Sequence, residues 1–527
     1  MKKSEAKAKF EKKEKGTNMP SYIMAHDLGT SSDKAVLVDF DGNIIATHSE
    51  AYPTYYPNPA WVEQEPMDYW EKSCRASKRI MDERHIDPED VKAVIFSTQA
   101  QGIIPMDREG NILYRNITWV DGRAEKQAAA IMNKVGGKKI FTLLSGTPIM
   151  GKDVLAKVFW LKEERADIWK ETYKILDVNG FMKYMCTGKM VGEISGASSF
   201  ALDLKTKQWM SVLKLIGLDM EKLPELVCST DLVGGLLPDA AEKMGLKPGT
   251  PVFGGCDDVQ AAAVGAGMVQ EGDAHIYLGT SAWVAVATKK HDKFMHGAAP
   301  IQSADKNSLL IAGITESAGA NIQWLQEQFF AREKEELGDG IFEYMNEKIK
   351  DIAPGCDHLV CTPWMLGERC PVSSTTTRAT LFNISMDHTR EHMMKAVYEG
   401  IGYNLRWIME NYKTDYGFDC KPVRIIGGGA LTDSWMQIIA DITGKRIDVV
   451  KNPRNSGALG AAVVAMIGLG HLPGFEAVKD FVKVEKTYNP NPANREIYDK
   501  LFIDYKNIYK GLSEAYKTAN SRRFTSK

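Results

Sequence analysis

The sequence predicts an α/β fold built from two related halves, and two observations carry this prediction. The tetrapeptide Leu28-Gly29-Thr30-Ser31 recurs as Leu278-Gly279-Thr280-Ser281, each time at the end of a short apolar run that is typical of a β-strand. From Pro20 onward, β-type runs also alternate with helical patterns, which favours an α/β fold over segregated sheets and helices. We therefore expect two half-molecules whose Gly-Thr turns face each other across a cleft.

The predicted elements follow the same order in both halves. In the first half we predict strands over 22–27, 34–39 and 44–47, a helix over 67–82 and a buried strand over 91–97. Asp41-Gly42 is the hairpin signal between the second and third strands. In the second half, strands over 283–288 and 309–313 follow the Gly-Thr turn, and a helix over 317–330 comes next.

The two Gly-Thr turns have the chemistry of a phosphate clamp. A glycine lets the backbone approach an oxyanion, and hydroxyls and turn N–H groups donate hydrogen bonds to it. The residues so placed are Thr30, Ser31, Gly279 and Thr280. One such turn is typical of an ordinary loop, whereas a pair suits a polyphosphate held from both sides.

A third glycine turn indicates a nucleotide site. An apolar run over 423–426 leads into Gly427-Gly428-Gly429-Ala430, and a helix is predicted over 434–443. Backbone without side chains lies flat against a ring or a phosphate, and the helix N-terminus adds partial positive charge. The turn lacks Gly-x-Gly-x-x-Gly spacing and the chain has no P-loop motif, so a dinucleotide dehydrogenase and a P-loop NTPase are disfavoured.

Two adjacent carboxylates predict the catalytic position. Asp257 and Asp258 follow a glycine turn and open a helix of small residues, and one carboxylate suffices for a helix cap. The other is then free to project into the cleft as a general base or a magnesium-associated group. Asp27, directly before the first Gly-Thr turn, is the natural second acid for a hydrated Mg²⁺.

Composition narrows the class of partner. Lys and Arg number 66 against 68 acidic residues, so a small-molecule substrate fits better than a nucleic acid. No run of eighteen apolar residues and no signal-peptide pattern occurs, so we expect a cytoplasmic protein without a membrane segment. The eight cysteines form no Cys-x-x-Cys pair, which argues against a structural zinc. The lysine-rich residues 1–18 are predicted to be a disordered extension.

Motifs in consistent order along the chain resemble those of the FGGY carbohydrate kinases, and within that family they are most similar to xylulokinases. The phosphate pattern D-x-G-T matches 27–30, with Lys34 shortly after, and the sugar-side pattern W-x-D-G-R matches 119–123. The catalytic-aspartate turn matches 255–258, where Gly265 seven residues on selects Asp258. The adenosine pattern matches 427–430 and the later small-residue helix matches 456–462. Segments 367–369 and 399–403 also resemble the family at the corresponding positions along the chain. The resemblance therefore covers about residues 21–512.

The resemblance implies two actin-like domains of the RNase-H fold that close on a hinge. It implies a sugar-binding domain over 19–266 and a nucleotide-binding domain over 267–527, with the hinge near Ala266. The terminal helix, expected around 497–516, is a candidate to pack back on the first domain. The oligomeric state stays open, with a homodimer as the first expectation.

The resemblance also implies the reaction, which is transfer of the γ-phosphoryl group of Mg-ATP to a sugar hydroxyl. Asp258 would deprotonate that hydroxyl, and Asp27 with Asp258 would associate with Mg²⁺ and its waters. The implied nucleotide-binding residues are Thr30, Ser31, Lys34, Gly279, Thr280, Gly428, Gly429, Ala430 and Ser434. The implied sugar-contacting residues are Gln99, Ala100, Gln101, Trp119, Asp121, Arg123 and Asp258.

The sugar-contacting turn departs from the xylulokinase pattern. Xylulokinases resemble Ser-x-Gln-Met-His-Gly there, whereas this chain has Ala100 in place of the methionine and Gln101 in place of the histidine. Glutamine donates and accepts like imidazole but carries no charge, and alanine leaves room for a bulkier ligand. D-xylulose, giving D-xylulose 5-phosphate, is therefore the leading substrate, with ribulose, erythritol and glycerol as alternatives.

Other interpretations of the same residues stay open. Gln99 and Gln101 can be solvated loop residues, Trp119 a core residue, and Asp121 with Arg123 a local ion pair that fixes the turn. The same two-domain architecture also serves ATPases that are coupled to a partner protein. A silent sugar sensor or regulator would need a DNA-binding helix pair, and the sequence shows no such pattern.

Overall fold

Two β-sheets organise the part of the chain that the computed structural model describes, which comprises residues 20–145, 148–290 and 295–520. The predicted extension over 1–18 lies outside these residues. The α/β class is confirmed, because each sheet is mixed and packs against helices.

The first sheet contains the strands that the sequence predicted for the first half. In spatial order its strands are Leu232–Gly235, Pro251–Phe253, Val91–Thr98, Tyr22–Leu28, Ser32–Asp39 and Ile44–Ala51, with Cys256–Asp257 paired to Val91–Thr98. Tyr22–Leu28 runs antiparallel to Ser32–Asp39 and parallel to Val91–Thr98. Most side chains of these two parallel strands are buried, as expected for central strands covered on both faces.

The second sheet repeats this layout. In spatial order its strands are Ala298–Gln302, Leu309–Ile314, Ala282–Thr288, Ala274–Leu278, Val423–Ile426, Ile447–Val450 and Val484–Tyr488. Ala274–Leu278 runs antiparallel to Ala282–Thr288 and parallel to Val423–Ile426, as its counterpart does in the first sheet. The edge strand Ala298–Gln302, in which two of five residues are buried, was not predicted from the sequence.

Helices cover both sheets. The α-helices of the described residues are Pro66–Arg84, Glu125–Lys134, Lys138–Ser145, Val154–Glu164, Ala166–Glu171, Val178–Thr187, Ile194–Ser198, Val212–Leu215, Pro238–Met244, Asp258–Gly265, Gly319–Phe329, Ala331–Leu337, Ile341–Lys350, Arg390–Tyr416, Asp433–Thr443, Ser456–Gly468, Val478–Phe481 and Arg495–Asn520. Short 3₁₀ turns occur at Pro88–Asp90, Met220–Lys222, Gly338–Gly340, Cys356–His358, Gly428–Leu431, Pro453–Asn455, Phe475–Ala477 and Pro492–Asn494. Two-stranded ladders pair Glu63–Gln64 with Asn116–Ile117, Ile104–Met106 with Lys174–Leu176, Val191–Glu193 with Glu225–Val227, Leu202–Asp203 with Gln208–Trp209, and Val360–Thr362 with Thr380–Phe382.

Local sequence signals set several helix ends. Pro66 occupies the first turn of its helix, where the missing N–H costs nothing. The long helix Arg390–Tyr416 begins with a capping box at Thr389 and ends at Gly417, whose φ of 78° only glycine adopts freely. Among the described residues, no helix combines the length and the apolar character needed to cross a membrane.

The two halves meet at a pair of crossing helices. Helix Ser456–Gly468 packs on helix Asp258–Gly265 and on strands Tyr22–Leu28 and Val91–Thr98 of the first sheet. Glycines allow this approach, since a Cβ on Gly460 would lie 1.9 Å from the carbonyl oxygen of Ala261. The domain boundary and the hinge near Ala266 stay predictions, although the cores of the two halves merge along these helices.

The prediction for the terminal helix is wrong. Arg495–Asn520 packs on the second domain, where the Tyr498 hydroxyl donates to Glu399 at 2.9 Å and the Tyr505 hydroxyl donates to Asn404 at 3.1 Å. Its aromatic stripe packs on helix Arg390–Tyr416 through the stacked rings of Phe502 and Tyr403, and Tyr505 also packs against Trp364. The element that returns to the first sheet is helix Ser456–Gly468 instead.

Candidate active site

Sheet topology brings the predicted acids to one edge of the first sheet. Strands Tyr22–Leu28, Val91–Thr98 and Cys256–Asp257 run parallel, with Asp27 opposite Ser97 and Asp257 opposite Thr98. Their carboxyl ends therefore meet at one edge, which is where open α/β sheets bind their ligands.

Asp27 lies half-buried at this edge. The Ser97 hydroxyl donates to its Oδ1 at 3.0 Å. Burial raises the pKa of Asp27, while the positive charge of Lys34 opposes that rise. The Lys34 ammonium itself donates to the carbonyl oxygen of Arg454 at 2.9 Å, so Lys34 joins the first sheet to the second domain. A Cβ on Gly457 would lie 2.7 Å from Asp27 Oδ2, so this glycine leaves the space that the carboxylate occupies.

The two adjacent aspartates have different environments. Asp257 is 3% exposed, its Oδ2 has no hydrogen-bond partner among the described residues, and burial with the charge of Asp177 raises its pKa well above the usual range. Asp258 is half-buried and accepts the Val259 N–H at 2.8 Å. Burial and the charge of Asp27 raise the pKa of Asp258 to about 7. The pair thus comprises a buried carboxyl whose pKa is raised well above the usual range and a half-buried carboxyl that titrates near neutrality.

The predicted sugar turn lies beside these acids. The Gln99 N–H donates to Leu28 O at 2.7 Å, and its side-chain amide donates to Gln64 at 2.9 Å. Ala100 is half-buried, and Gln101 has a left-handed backbone with φ of 61°. Gln101 lines a cavity of about 30 Å³, together with two carboxyl-bearing residues and several apolar groups, namely Asp177, Glu193, Phe200 and Trp209.

A hydrogen bond joins the turn that contains Trp119 to the first phosphate turn. Its indole N–H donates to Thr30 Oγ1 at 3.1 Å, and the ring is half-buried. Thr30 and Ser31 are exposed, and the Gln64 amide donates to the Thr30 carbonyl oxygen at 2.7 Å. The first Gly-Thr turn is therefore shaped by the residues around the sugar turn.

Asp121 and Arg123 do not reach the cleft, which corrects their prediction as sugar contacts. Both side chains are fully buried, and Arg123 pairs with Asp121 at 2.7 Å and with Glu63 at 2.9 Å. Asp121 also accepts the Val62 N–H at 2.5 Å. Asp121 and Arg123 thus form the local ion pair that fixes this turn, and the same turn positions Trp119.

A nucleotide-sized cavity lies on the second domain. It has a volume of about 620 Å³ and is lined by the second Gly-Thr turn and by the triple-glycine turn. Gly279, Thr280, Gly428 and Gly429 are among its lining residues. A Cβ on Gly428 would have only Arg454 Nε at 3.9 Å as a neighbour, so this backbone faces open space.

Five of the predicted nucleotide residues do not line this cavity. Thr30, Ser31 and Lys34 lie at the first sheet, and the other two, Ala430 and Ser434, belong to the second domain. Ala430 is buried in the core of the second domain. The Ser434 hydroxyl donates to Asn346, and Asn346 itself lines the cavity. Ser434 therefore supports the wall instead of forming it.

Sequence reasoning missed an aromatic pair that faces the acids from the second domain. Tyr277 stacks on Trp283 with ring centroids 4.0 Å apart. Burial, together with the charges of Asp27 and Asp258, raises the pKa of Tyr277 to about 12. The pair flanks the second Leu-Gly-Thr-Ser tetrapeptide, so its position next to that repeat was the available signal.

The fold and the site together define a two-domain phosphotransferase for small molecules. A carboxyl-bearing sheet edge and a nucleotide-sized cavity lie on opposite halves, and Lys34 and helix Ser456–Gly468 place the two halves in contact. The chain belongs to the FGGY family of carbohydrate kinases, whose N-terminal domain matches residues 22–265 and whose C-terminal domain matches residues 274–469.

Individual relatives agree with this assignment. A xylulose kinase of Lactococcus lactis subsp. lactis is 30% identical over 506 residues, covering 94% of this chain and 97% of the relative. A gluconokinase of Bacillus licheniformis is 27% identical over 511 residues, covering 96% and 99%. The crystal structure of ligand-bound xylulose kinase from Lactobacillus acidophilus shares the fold, with a TM-score of 0.85 at 24% identity over 95% of this chain and 100% of that one. The protein is thus a sugar kinase.

Proposed function

We propose that this kinase transfers the γ-phosphoryl group of Mg-ATP to a hydroxyl of D-xylulose, giving D-xylulose 5-phosphate. The observation that carries the proposal is the position of Asp258, a half-buried carboxyl that begins a helix directly after strand Cys256–Asp257, which pairs with Thr98 beside the sugar turn. The kinase family supports ATP as the phosphoryl donor, and the xylulose kinase relative supports the choice of sugar.

The chain's own residues account for the steps around the transfer. Asp258 orients the attacking hydroxyl and takes its proton, which requires only hydrogen-bond reach and a pKa near neutrality. The exposed Thr30 and Ser31 meet the phosphates from the first domain, and Gly279 with Thr280 meet them from the second. The transition state of phosphoryl transfer is loose, so such positioning and charge neutralisation provide most of the catalysis.

The donor set at the sheet edge fits Mg²⁺. Asp27 and Asp258 each raise the cost of ionising the other, because the charge of Asp27 raises the pKa of Asp258 in a partly desolvated site. Two carboxylates of this kind are the usual protein contribution to a hydrated Mg²⁺ that also binds phosphates. When bound, the ion supplies charge neutralisation to the phosphoryl oxygens.

A gluconokinase is also among the relatives, so gluconate is a second candidate acceptor and is included in the test.

The test is ADP release in a coupled assay with Mg-ATP and a panel of D-xylulose, D- and L-ribulose, L-xylulose, erythritol, glycerol and gluconate. Stimulation by D-xylulose above the other compounds supports the proposal. Stimulation by another member retains the kinase but overturns the choice of sugar. Steady turnover without any dependence on a sugar favours an ATPase coupled to a partner protein.

A further inference from the structure

A buried lysine behind the sugar turn has no part in the chemistry described so far. Lys157, in helix Val154–Glu164, is 0% exposed. Its ammonium donates to two backbone carbonyl oxygens, that of Gln101 at 2.7 Å and that of Thr118 at 2.8 Å. Burial lowers the pKa of Lys157 to about 7, and the nearby charges of Asp121 and Asp153 only partly offset that effect.

The two carbonyl partners belong to the two turns that present the proposed sugar contacts. Gln101 has a left-handed backbone, which costs free energy for a residue other than glycine unless its surroundings hold it. Thr118 directly precedes Trp119, the residue that donates to Thr30. One ammonium therefore joins two irregular turns that are 17 residues apart along the chain, as their numbers show.

An interior cation is expensive to desolvate, and an apolar residue of similar length would fill the same space. Carbonyl partners stabilise the ammonium less than a carboxylate would, which agrees with the lowered pKa of Lys157. Lys157 contributes to the geometry of the site, because its N–H groups fix the distance between the carbonyls of Gln101 and Thr118.

We infer that Lys157 is a positioning residue that sets the separation of the Gln101 turn and the Trp119 turn, and thereby the shape of the sugar site. The inference rests on the proposed function in one respect, since Gln101 and Trp119 are the proposed sugar contacts. Lys157 does not touch the reacting atoms and is not a catalytic residue.

Lys395 is a matched control within the same chain. It is 6% exposed, and its ammonium donates to the backbone carbonyl of Ile352 in the second domain. Lys157→Met and Lys395→Met each remove a buried ammonium that holds backbone. A purely structural role for Lys157 predicts that the two variants behave alike.

The experiment compares both variants with the wild type in steady-state kinetics with whichever sugar the wild type phosphorylates, alongside thermal unfolding. We expect Lys157→Met to raise the KM for the sugar by about tenfold or more with the KM for ATP nearly unchanged, because the orphaned carbonyls let both turns relax. Lys395→Met should lower Tm and leave the sugar KM unchanged. A folded Lys157→Met enzyme with wild-type sugar KM, or equal changes in both KM values, would overturn the inference.

A second measurement separates this inference from the proposed function. Amide hydrogen exchange of free Lys157→Met should increase in segments 99–103 and 117–122 and not in the second domain, whether or not D-xylulose is the substrate. Unchanged exchange there would overturn the inference even if the sugar assay succeeds. Should Lys157→Met fail to fold, Lys157→Gln, which keeps an N–H donor, provides the same comparison.

Discussion

The indole N–H of Trp119 donates to the hydroxyl of Thr30 at 3.1 Å, which joins the Trp119 turn to the first phosphate turn. These residues are 89 positions apart and belong to different loops. A sugar that displaced Trp119 would also release the Thr30 hydroxyl. We therefore predict that sugar binding and phosphate binding are coupled through this hydrogen bond.

Trp119→Phe tests this coupling, because it keeps the ring and removes the N–H. We expect the KM values for both the sugar and ATP to rise, each by a few-fold, since a single hydrogen bond contributes about 1 kcal/mol. Steady-state kinetics with each substrate varied in turn provides the measurement. Trp169→Phe is the control, because it removes an indole N–H that donates to Asp219 at 2.8 Å and not to a proposed substrate contact. Equal effects of both substitutions would contradict the coupling.

Asp258→Asn tests the general base. The loss of a positioned base lowers kcat by about 100-fold or more, while ATP binding should persist because the nucleotide cavity lies on the second domain. The measurements are kcat and nucleotide binding by calorimetry. A variant that retains more than about a tenth of wild-type kcat would remove Asp258 from the role.

Asp257→Asn is the matched partner of that experiment. The pKa of Asp257 is raised well above its usual range by burial and by Asp177, which favours the protonated form of its side chain. Asparagine is neutral and of the same shape, so we expect kcat to stay within about tenfold of wild type. A loss as large as that of Asp258→Asn would reverse the assignment of the two aspartates.

The pH dependence of the reaction follows from the environment of Asp258. Its carboxyl has a pKa raised to about 7 and must be ionised to accept the sugar proton, so kcat/KM for the sugar should fall as pH drops below about 7. Asp27→Asn removes the negative charge that raises this pKa. The acid limb of the remaining activity should therefore move to lower pH, and a profile measured over about pH 5 to 9 tests the direction. A limb that stays in place would show that Asp27 does not act on Asp258.

The sequence predicted the parts of the site that depend on local pattern. Gly279, Gly428 and Asp258 lie where a strand ends in a turn, and period-2 and glycine signals mark such turns without tertiary information. It did not predict that Arg123 pairs with Glu63 as well as with Asp121, because that contact depends on a long-range ladder in which Glu63 lies opposite Ile117.

The role of buried polar residues was equally invisible in the sequence. Lys157 is the single charged residue in the otherwise apolar run Val154–Leu161, and only the fold shows that its ammonium donates to two carbonyls. The terminal helix presents a clear aromatic stripe, but the stripe does not identify the surface that it covers. Tertiary packing determines both the inward orientation of Lys157 and the surface that the terminal helix covers.

Gly428→Val tests the nucleotide cavity. A side chain at this position would project into open space, with Arg454 Nε its nearest neighbour at 3.9 Å, so the fold should tolerate it. We expect the Kd for ATP to rise by about tenfold or more, because the side chain occupies ligand volume, while Tm changes little. Calorimetric titration and thermal unfolding are the measurements. Unimpaired ATP binding would show that the nucleotide does not use this turn.

Gly460→Ala tests the crossing of the two helices that join the halves. Its Cβ would lie 1.9 Å from the carbonyl oxygen of Ala261 and 2.7 Å from the backbone nitrogen of Gly265, so the helices must separate. Overpacking of this kind costs about 1–3 kcal/mol, and because helix Asp258–Gly265 begins at the proposed base, kcat should fall with stability. Gly511→Ala is the control, since Gly511 lies exposed in helix Arg495–Asn520 with nothing within 4 Å of its Cβ position. Gly511→Ala should stabilise the protein by about 0.5–1 kcal/mol in chemical denaturation without altering kcat. A Gly460→Ala enzyme with wild-type stability would contradict the close packing of the two helices.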